Sequence, residues 1–194
     1  MKLLVLDNYD SFTYNLVHIL RSMNVEYEVY RNDKIGPEEA LSFDIIILSP
    51  GPGIPSEAGN MANIIAACAG KKHILGICLG HQAIAEYLGG KLNNMSRVYH
   101  GVKSKISIKI NEGIFEGIPK KIEVGRYHSW EVAQEDLPEN ISITAEDEIG
   151  TIMALSSSSL KLYGIQFHPE SVMTEYGDKM IRNFLKIAQL SKKL

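Results

Sequence analysis

A thiol at a glycine-flanked bend is the first feature of this chain whose setting suits covalent chemistry. Gly76-Ile77-Cys78-Leu79-Gly80 follows the apolar run HILGI and leads into HQAIAEYL, where Ala83, Ile84, Tyr87 and Leu88 recur at helical spacing. G-x-C-x-G is the thiol counterpart of the strand-to-helix nucleophile elbow, in which flanking glycines permit a sharp turn that pushes the central side chain outward. A sulfur at a helix N-terminus is favoured as thiolate, and the backbone N–H of Leu79 is then free to donate to an oxyanion. The competing fate of a cysteine is burial as a small apolar residue. That fate suits Cys68, in NIIAACAG, far better than Cys78.

A thiolate nucleophile needs a base, and six histidines compete. His168 ends KLYGIQF and is followed by Pro169 and Glu170. Residues i and i+2 of an extended segment face the same way, so Glu170 can hold the His168 imidazole in one tautomer, as the third member of a triad does. His81 lies inside the helix start and is read as a support of the loop. His18 sits on a helix away from the strand ends, His73 begins a strand at its amino end, and His100 and His128 stay open as members of the site rim. The loop SPGPGIP (49–55) lacks the Lys-Ser/Thr of a P-loop, and its prolines remove donors that a phosphate nest would use. Gly53 in this loop is a candidate second oxyanion donor, although the same residues would serve as a plain strand-ending turn.

These residues need a frame that brings them together. KLLVL (2–6), EYEVY (26–30), DIIIL (44–48) and HILGI (73–77) are short, rich in branched apolar residues and bounded by Gly, Pro, Asn or Asp, which predicts strands. Residues 12–22 and 58–69 have helical composition, and a run as apolar as DIIIL suits a parallel sheet covered on both faces. After Gly89-Gly90 the pattern changes: Val102, Ser104, Ile106, Ile108 and Ile110 share one side of a strand and Lys103, Lys105, Ser107 and Lys109 the other, predicting a half-exposed antiparallel strand. Further strands are expected near 122–126, 141–145, 151–155 and 161–167. A closing helix over 176–190 would bury Tyr176, Met180, Ile181, Phe184, Leu185 and Ala188. The expectation is one α/β domain over 1–194, a doubly wound, mostly parallel, flavodoxin-like sheet with a small antiparallel annex. In such a sheet ligands bind beyond the carboxyl ends of the strands, which is where DNYDSF, SPGPG, CLGHQ and HPES fall.

Composition narrows the partners. Twenty Lys plus Arg against 23 Asp plus Glu give −3 over 194 residues, so no strong field would draw the chain to nucleic acid or an anionic membrane. The apolar part of MKLLVLDNYD is too short for a signal peptide and no run approaches a membrane span, so a cytoplasmic protein is expected. Two cysteines without CxxC or histidines at ligand spacing make neither a disulfide framework nor a zinc site.

Taken together and in order, LDNYDSFTYN, SPGPG, ILGICLGHQ, RYHSW and QFHPES make the chain resemble the class I glutamine amidotransferases over nearly its whole length. LDNYDSFTYN is similar to the glutaminase subunits that serve chorismate-using synthases forming anthranilate, 4-amino-4-deoxychorismate or both. The resemblance implies L-glutamine as substrate, Cys78 as nucleophile, and His168 with Glu170 completing a triad. It further implies glutamine contacts from Gly51, Pro52 and Gly53, from the Gln82 amide, from Leu79 in the oxyanion hole, and from the backbone of Ser129 and Trp130, with Trp130 standing where the family commonly has leucine. The implied partner is a chorismate-binding synthase subunit on another chain; no metal or organic cofactor is expected here, and magnesium is expected in that partner. Since no nucleotide-activating domain is visible, guanylate-forming and carbamoyl-phosphate relatives are not expected. The competing classes are a flavodoxin-like binding module using DSFTYN as a phosphate loop, a free-standing γ-glutamyl hydrolase or cysteine peptidase, and a silent scaffold subunit.

Overall fold

The computed structural model describes residues 1–135 and 137–191; residues 136 and 192–194 of the expected 1–194 domain lie outside the described residues. In chain order the elements are β1 (Leu3–Asp7), α1 (Thr13–Ser22), β2 (Tyr27–Arg31), α2 (Pro37–Ala40), β3 (Ile45–Leu48), α3 (Met61–Cys68), β4 (His73–Ile77) and α4 (Leu79–Tyr87). They continue with β5 (Leu92–Asn94), β6 (Val102–Ile108), β7 (Lys121–Arg126), β8 (Trp130–Val132), β9 (Ser142–Asp147), β10 (Ile152–Ser157), β11 (Leu162–Ile165) and α5 (Gly177–Leu190). Nine strands form one sheet in the order β2-β1-β3-β4-β11-β10-β9-β6-β7. The first five run parallel, with Leu3 beside Tyr27 and Ile45, and Ile74 beside Ile46 and Leu162.

Both faces of β1, β3 and β4 are covered, which is why these strands are almost continuously apolar and buried, whereas the edge strand β2, YEVYR, is only half-buried. Successive side chains point to opposite faces: Leu3, Val5, Ile45 and Ile47 enter a core with Leu16, Leu20, Phe184 and Leu185, while Leu4, Leu6, Ile46 and Leu48 pack with Ile64, Ile65 and Ile84. The helices α1 and α5 thus cover one face, and α3 and α4 the other. Cys68 is fully buried in the second core, and burial pushes its thiol pKa up.

The antiparallel strands continue this sheet instead of forming a body apart: β10 pairs β11, β9 pairs β10 and β6, and β6 pairs β7, all antiparallel. A separate two-stranded piece, β5 with β8, sits beside α4. The alternation expected for β6 holds through Ile108, whose inner face carries buried Ile106 and Ile108. Ile110 departs from it, because ladder pairing to β9 ends at Ile108–Ala145 and the side chain is exposed. Tyr176 also departs from the expected apolar stripe of α5. It precedes the helix in a left-handed conformation, φ +59°, and is exposed, whereas Met180, Ile181, Phe184, Leu185 and Ala188 are buried as expected. No helix among the described residues is long and apolar enough to cross a membrane.

Candidate active site

The carboxyl ends of β1, β3, β4 and β11 lie side by side on one edge of the sheet, so the four unusual segments converge as the topology requires. Cys78 occupies the bend between β4 and α4 with φ +52° and ψ −100°, a conformation that a residue with a Cβ rarely adopts. The turn is therefore made by the cysteine itself. Neither Gly76 nor Gly80 has positive φ; the two glycines serve close approach. A Cβ on Gly76 would meet the first turn of α4, lying 2.7 Å from the His81 nitrogen, and one on Gly80 would lie 2.7 Å from the Leu48 Cβ. These contacts press α4 onto β3 and β4 and force the thiol to the helix N-terminus, where Leu79 N–H is unused by the helix ladder.

His168 lies beyond β11, with Nδ1 2.7 Å from Glu170 Oε1, and both side chains are buried. The loop that carries them is pinned: Thr174 Oγ1 donates to the His168 carbonyl at 2.6 Å, and His168 N–H donates to the Gly125 carbonyl at 3.1 Å. Burial pulls the His168 pKa down, but the neighbouring Cys78 and Glu170 outweigh it, and the imidazolium is held up to about 10. The groups that hold it are the Cys78 sulfur and the Glu170 carboxylate.

DNYDSF also becomes intelligible. The Asp7 carboxylate accepts from Tyr9 N–H (3.0 Å) and Thr13 Oγ1 (2.9 Å), and Asp10 accepts from Phe12 N–H (2.7 Å). This tight turn sets the Phe12 ring edge-on to the His168 ring at 5.4 Å and against Tyr127 at 5.0 Å. Its hydroxyl and amides serve its own two carboxylates, the opposite of what a phosphate loop needs. Asn8 ties the turn to SPGPG by donating from Nδ2 to the Ser49 carbonyl at 2.7 Å.

Two openings meet at Cys78. The inner is a cleft of about 140 Å³ lined by Gly51, Pro52, Gly53, Cys78, Leu79, Gln82, Tyr127, His128, Ser129 and Trp130. The outer, about 530 Å³, is lined by Cys78 with Tyr9, Asp10, Phe12, Pro50, His100, Tyr127 and His168, among others. Every residue expected to touch glutamine thus borders the inner cleft. Gln82 is anchored there, its Nε2 donating to the Trp130 carbonyl (2.9 Å) and to Gln166 Oε1 (3.2 Å).

The remaining histidines separate cleanly. His128 lies in the inner cleft, but both ring nitrogens are engaged: Nε2 accepts from Arg126 Nε at 3.0 Å, and Nδ1 donates to the Trp130 carbonyl at 2.8 Å. Burial and the Arg126 charge bring its pKa down to about 4, so it is neutral and held in one tautomer. His81 is fully buried with its pKa lowered to about 3 by burial. His100 is exposed on the outer opening, His18 is exposed on α1, and His73 lies at the amino end of β4 with Nε2 3.0 Å from Ser191 Oγ.

Two groups near the site were not singled out in the sequence. Arg126, 1% exposed, pairs with Asp147 at 2.6 Å and stacks 3.7 Å from the Tyr99 ring centroid. Gln166 is fully buried, with Nε2 3.7 Å from Cys78 Sγ. The usable signal for both was polarity inside an otherwise apolar strand segment.

The family model for glutamine amidotransferase class-I matches residues 4–188. The chain is 45% identical over 186 residues to aminodeoxychorismate/anthranilate synthase component 2 of Bacillus subtilis, covering 95% of each. It is 44% identical over 191 residues to anthranilate synthase component 2 of Pseudomonas aeruginosa, covering 95% of this chain and 94% of that one. The crystal structure of a GMP synthase-like protein from Thermoplasma acidophilum superposes with a TM-score of 0.86 at 29% identity, covering 100% of this chain and 96% of that one.

Proposed function

Because this chain belongs to the class I glutamine amidotransferase family, we propose that it hydrolyses glutamine for a chorismate-using synthase of the anthranilate-forming kind, with Cys78 as nucleophile, His168 as acid and base, and Glu170 orienting His168. The observation that carries this reading is that the strained Cys78 sits where two openings meet, one bordered by Gln82 and the Trp130 carbonyl, the other by His168. Glutamine enters the inner cleft side chain first. A cleft of about 140 Å³ is below the usual size for a drug-sized ligand, which disfavours a peptide or folate substrate.

The sulfur attacks the carboxamide carbon, a C–S bond forms, and the oxyanion is held by the N–H groups of Leu79 and Gly53. His168, protonated in the resting pair, gives its proton to the departing nitrogen as the C–N bond breaks. Its acidity rises at that moment, because the acylated sulfur no longer supplies the charge that helped to hold the imidazolium while burial still favours the neutral ring. Ammonia leaves on the His168 side, through the outer opening. Neutral His168 next takes a proton from water, which attacks the thioester; the C–S bond breaks, releasing glutamate and the thiolate. Each step uses side chains and backbone of this chain, so no cofactor is assigned to it, and magnesium belongs to the chorismate-binding partner.

The partner reading rests on the component 2 relatives, and with it goes a cytoplasmic site of action. The Thermoplasma protein has this fold on a chain of similar length, so the lack of a visible nucleotide-activating domain does not separate chorismate chemistry from guanylate formation; the 44–45% identities favour the former. The test is to mix the purified chain with chorismate-using synthases and with a GMP-forming partner, supply glutamine, and identify the aminated product. Anthranilate is expected, and 4-amino-4-deoxychorismate would reassign the partner within the same class. GMP would overturn the reading.

A further inference from the structure

Beside the nucleophile runs a largely buried chain of hydrogen bonds whose direction is fixed by a backbone carbonyl within it. Arg126 can only donate, and its Nε reaches His128 Nε2 at 3.0 Å. His128 must therefore carry its proton on Nδ1, which faces the Trp130 carbonyl at 2.8 Å. That carbonyl can only accept, so the amide of Gln82 must turn its nitrogen toward it, at 2.9 Å. The second hydrogen of the same nitrogen goes to Gln166 at 3.2 Å, which obliges Gln166 to present its Oε1 there. The Gln166 nitrogen is then left facing Cys78 Sγ at 3.7 Å. An amide whose two ends are nearly alike in shape is oriented by a backbone carbonyl two links away.

We propose that Gln166 is a further catalytic residue: its side-chain N–H donates to the Cys78 sulfur, favours the thiolate, and links it through Gln82 to the wall of the glutamine cleft. The inference rests on Cys78 being the nucleophile. A neutral amide donor steadies the sulfur without adding a second charge to compete with His168. The direction of the amide matters, because an N–H donor favours the charged thiolate, a strong acceptor, over the neutral thiol, which accepts only weakly. Occupation of the cleft by glutamine engages Gln82, whose Oε1 has no protein partner among the described residues, and so tightens the same chain that steadies the attacking atom.

Two variants test this in the assembled complex with the synthase. Gln166→Leu removes the donor. Gln166→Glu keeps the shape but turns an acceptor toward the sulfur. The first readout is the pH dependence of Cys78 alkylation by iodoacetamide, which needs no glutamine turnover; the others are kcat and KM for glutamine. A donor to a charged group accounts for roughly tenfold to a hundredfold, so the inflection should rise by about one to two pH units. The sign follows because loss of a donor disfavours the thiolate; Gln166→Glu should shift it at least as far as Gln166→Leu. In both variants kcat should fall about tenfold or more, with KM changed much less and ammonium-driven synthesis retained.

An unmoved inflection in a folded, assembled variant overturns the proposal, even if KM rises, because Gln166 would then only be scaffolding the cleft. If Gln166→Leu fails to assemble, the isosteric Gln166→Glu carries the test alone. Failure of the underlying assignment looks different: Cys78→Ala would keep glutamine-dependent turnover, whatever Gln166 does.

Discussion

Adding one methyl group at Gly76 tests whether the elbow depends on close approach. The Cβ of Gly76→Ala would lie 2.7 Å from the His81 backbone nitrogen and closer still to the Gly80 carbonyl, where ordinary contact begins near about 3.5 Å. The atoms it meets are backbone in the first turn of α4, which cannot swing aside as a side chain can, so α4 has to retreat by roughly 1 Å and take Cys78 with it. Overpacking of this kind costs about 1–3 kcal/mol, and about 2 kcal/mol corresponds to a melting temperature lower by about 4–8 °C for a chain of this length. A displacement of about 1 Å at the reacting atom costs on the order of a hundredfold in rate. The assay is kcat for glutamine hydrolysis in the complex, alongside a thermal melt and ammonium-driven synthesis, which should persist. Gly36→Ala, where a Cβ meets nothing within 4 Å, is the matched control and should be close to wild type in both. Wild-type kcat and melting temperature for Gly76→Ala would refute the argument that this glycine is required by packing.

Three further outcomes follow from the same geometry. In the triad, turnover should order as wild type, then Glu170→Gln, then His168→Asn: the first substitution weakens a charge-assisted hydrogen bond of 2.7 Å, leaving roughly 1–10% of the rate, whereas the second removes both acid and base. His128→Asn proving more damaging than His168→Asn would move the base into RYHS, against the engagement of both His128 nitrogens. Acid should also destabilise the fold, because His81 and His128 stay neutral to about 3 and about 4 while their unfolded forms take up protons near about 6.5. Below that pH the unfolded state binds about two more protons, so stability should fall by about 2.7 kcal/mol per pH unit as pH drops toward 4; urea unfolding at several pH values should show His81→Leu with about half that slope, and an unchanged slope would contradict it.

The central strands of the parallel half, β1, β3 and β4, were legible because their runs are almost continuously apolar, as strands covered on both faces require. Cys78, His168 and Glu170 were legible because local pattern carries them: a glycine-flanked bend and an i, i+2 pair. What the flanking glycines do was not, since G-x-C-x-G records that small residues stand there but not whether a positive φ or a close neighbour demands them. The continuation of the sheet through β6 escaped for a related reason. Alternation in VKSKISI shows a half-exposed strand, but its pairing of Ile106 with Asp147 is a long-range register that no local pattern records. The strands β5 and β8 and the helix α2 have three or four residues each, too few for any period to appear. His128 stayed open because its two partners, a guanidinium and a carbonyl, are fixed only once RYHSW folds back on itself; Gln166 was hidden by lying in a segment that otherwise reads as buried strand.

The central claim is that Cys78 makes ammonia here and amination happens elsewhere. Its direct test is Cys78→Ala in the assembled complex, measured with glutamine and, separately, with an ammonium salt at alkaline pH. Glutamine-dependent product formation should be lost while ammonium-driven formation continues at the wild-type rate. Retained glutamine-dependent synthesis, or loss of both activities in a complex that remains assembled, would contradict it.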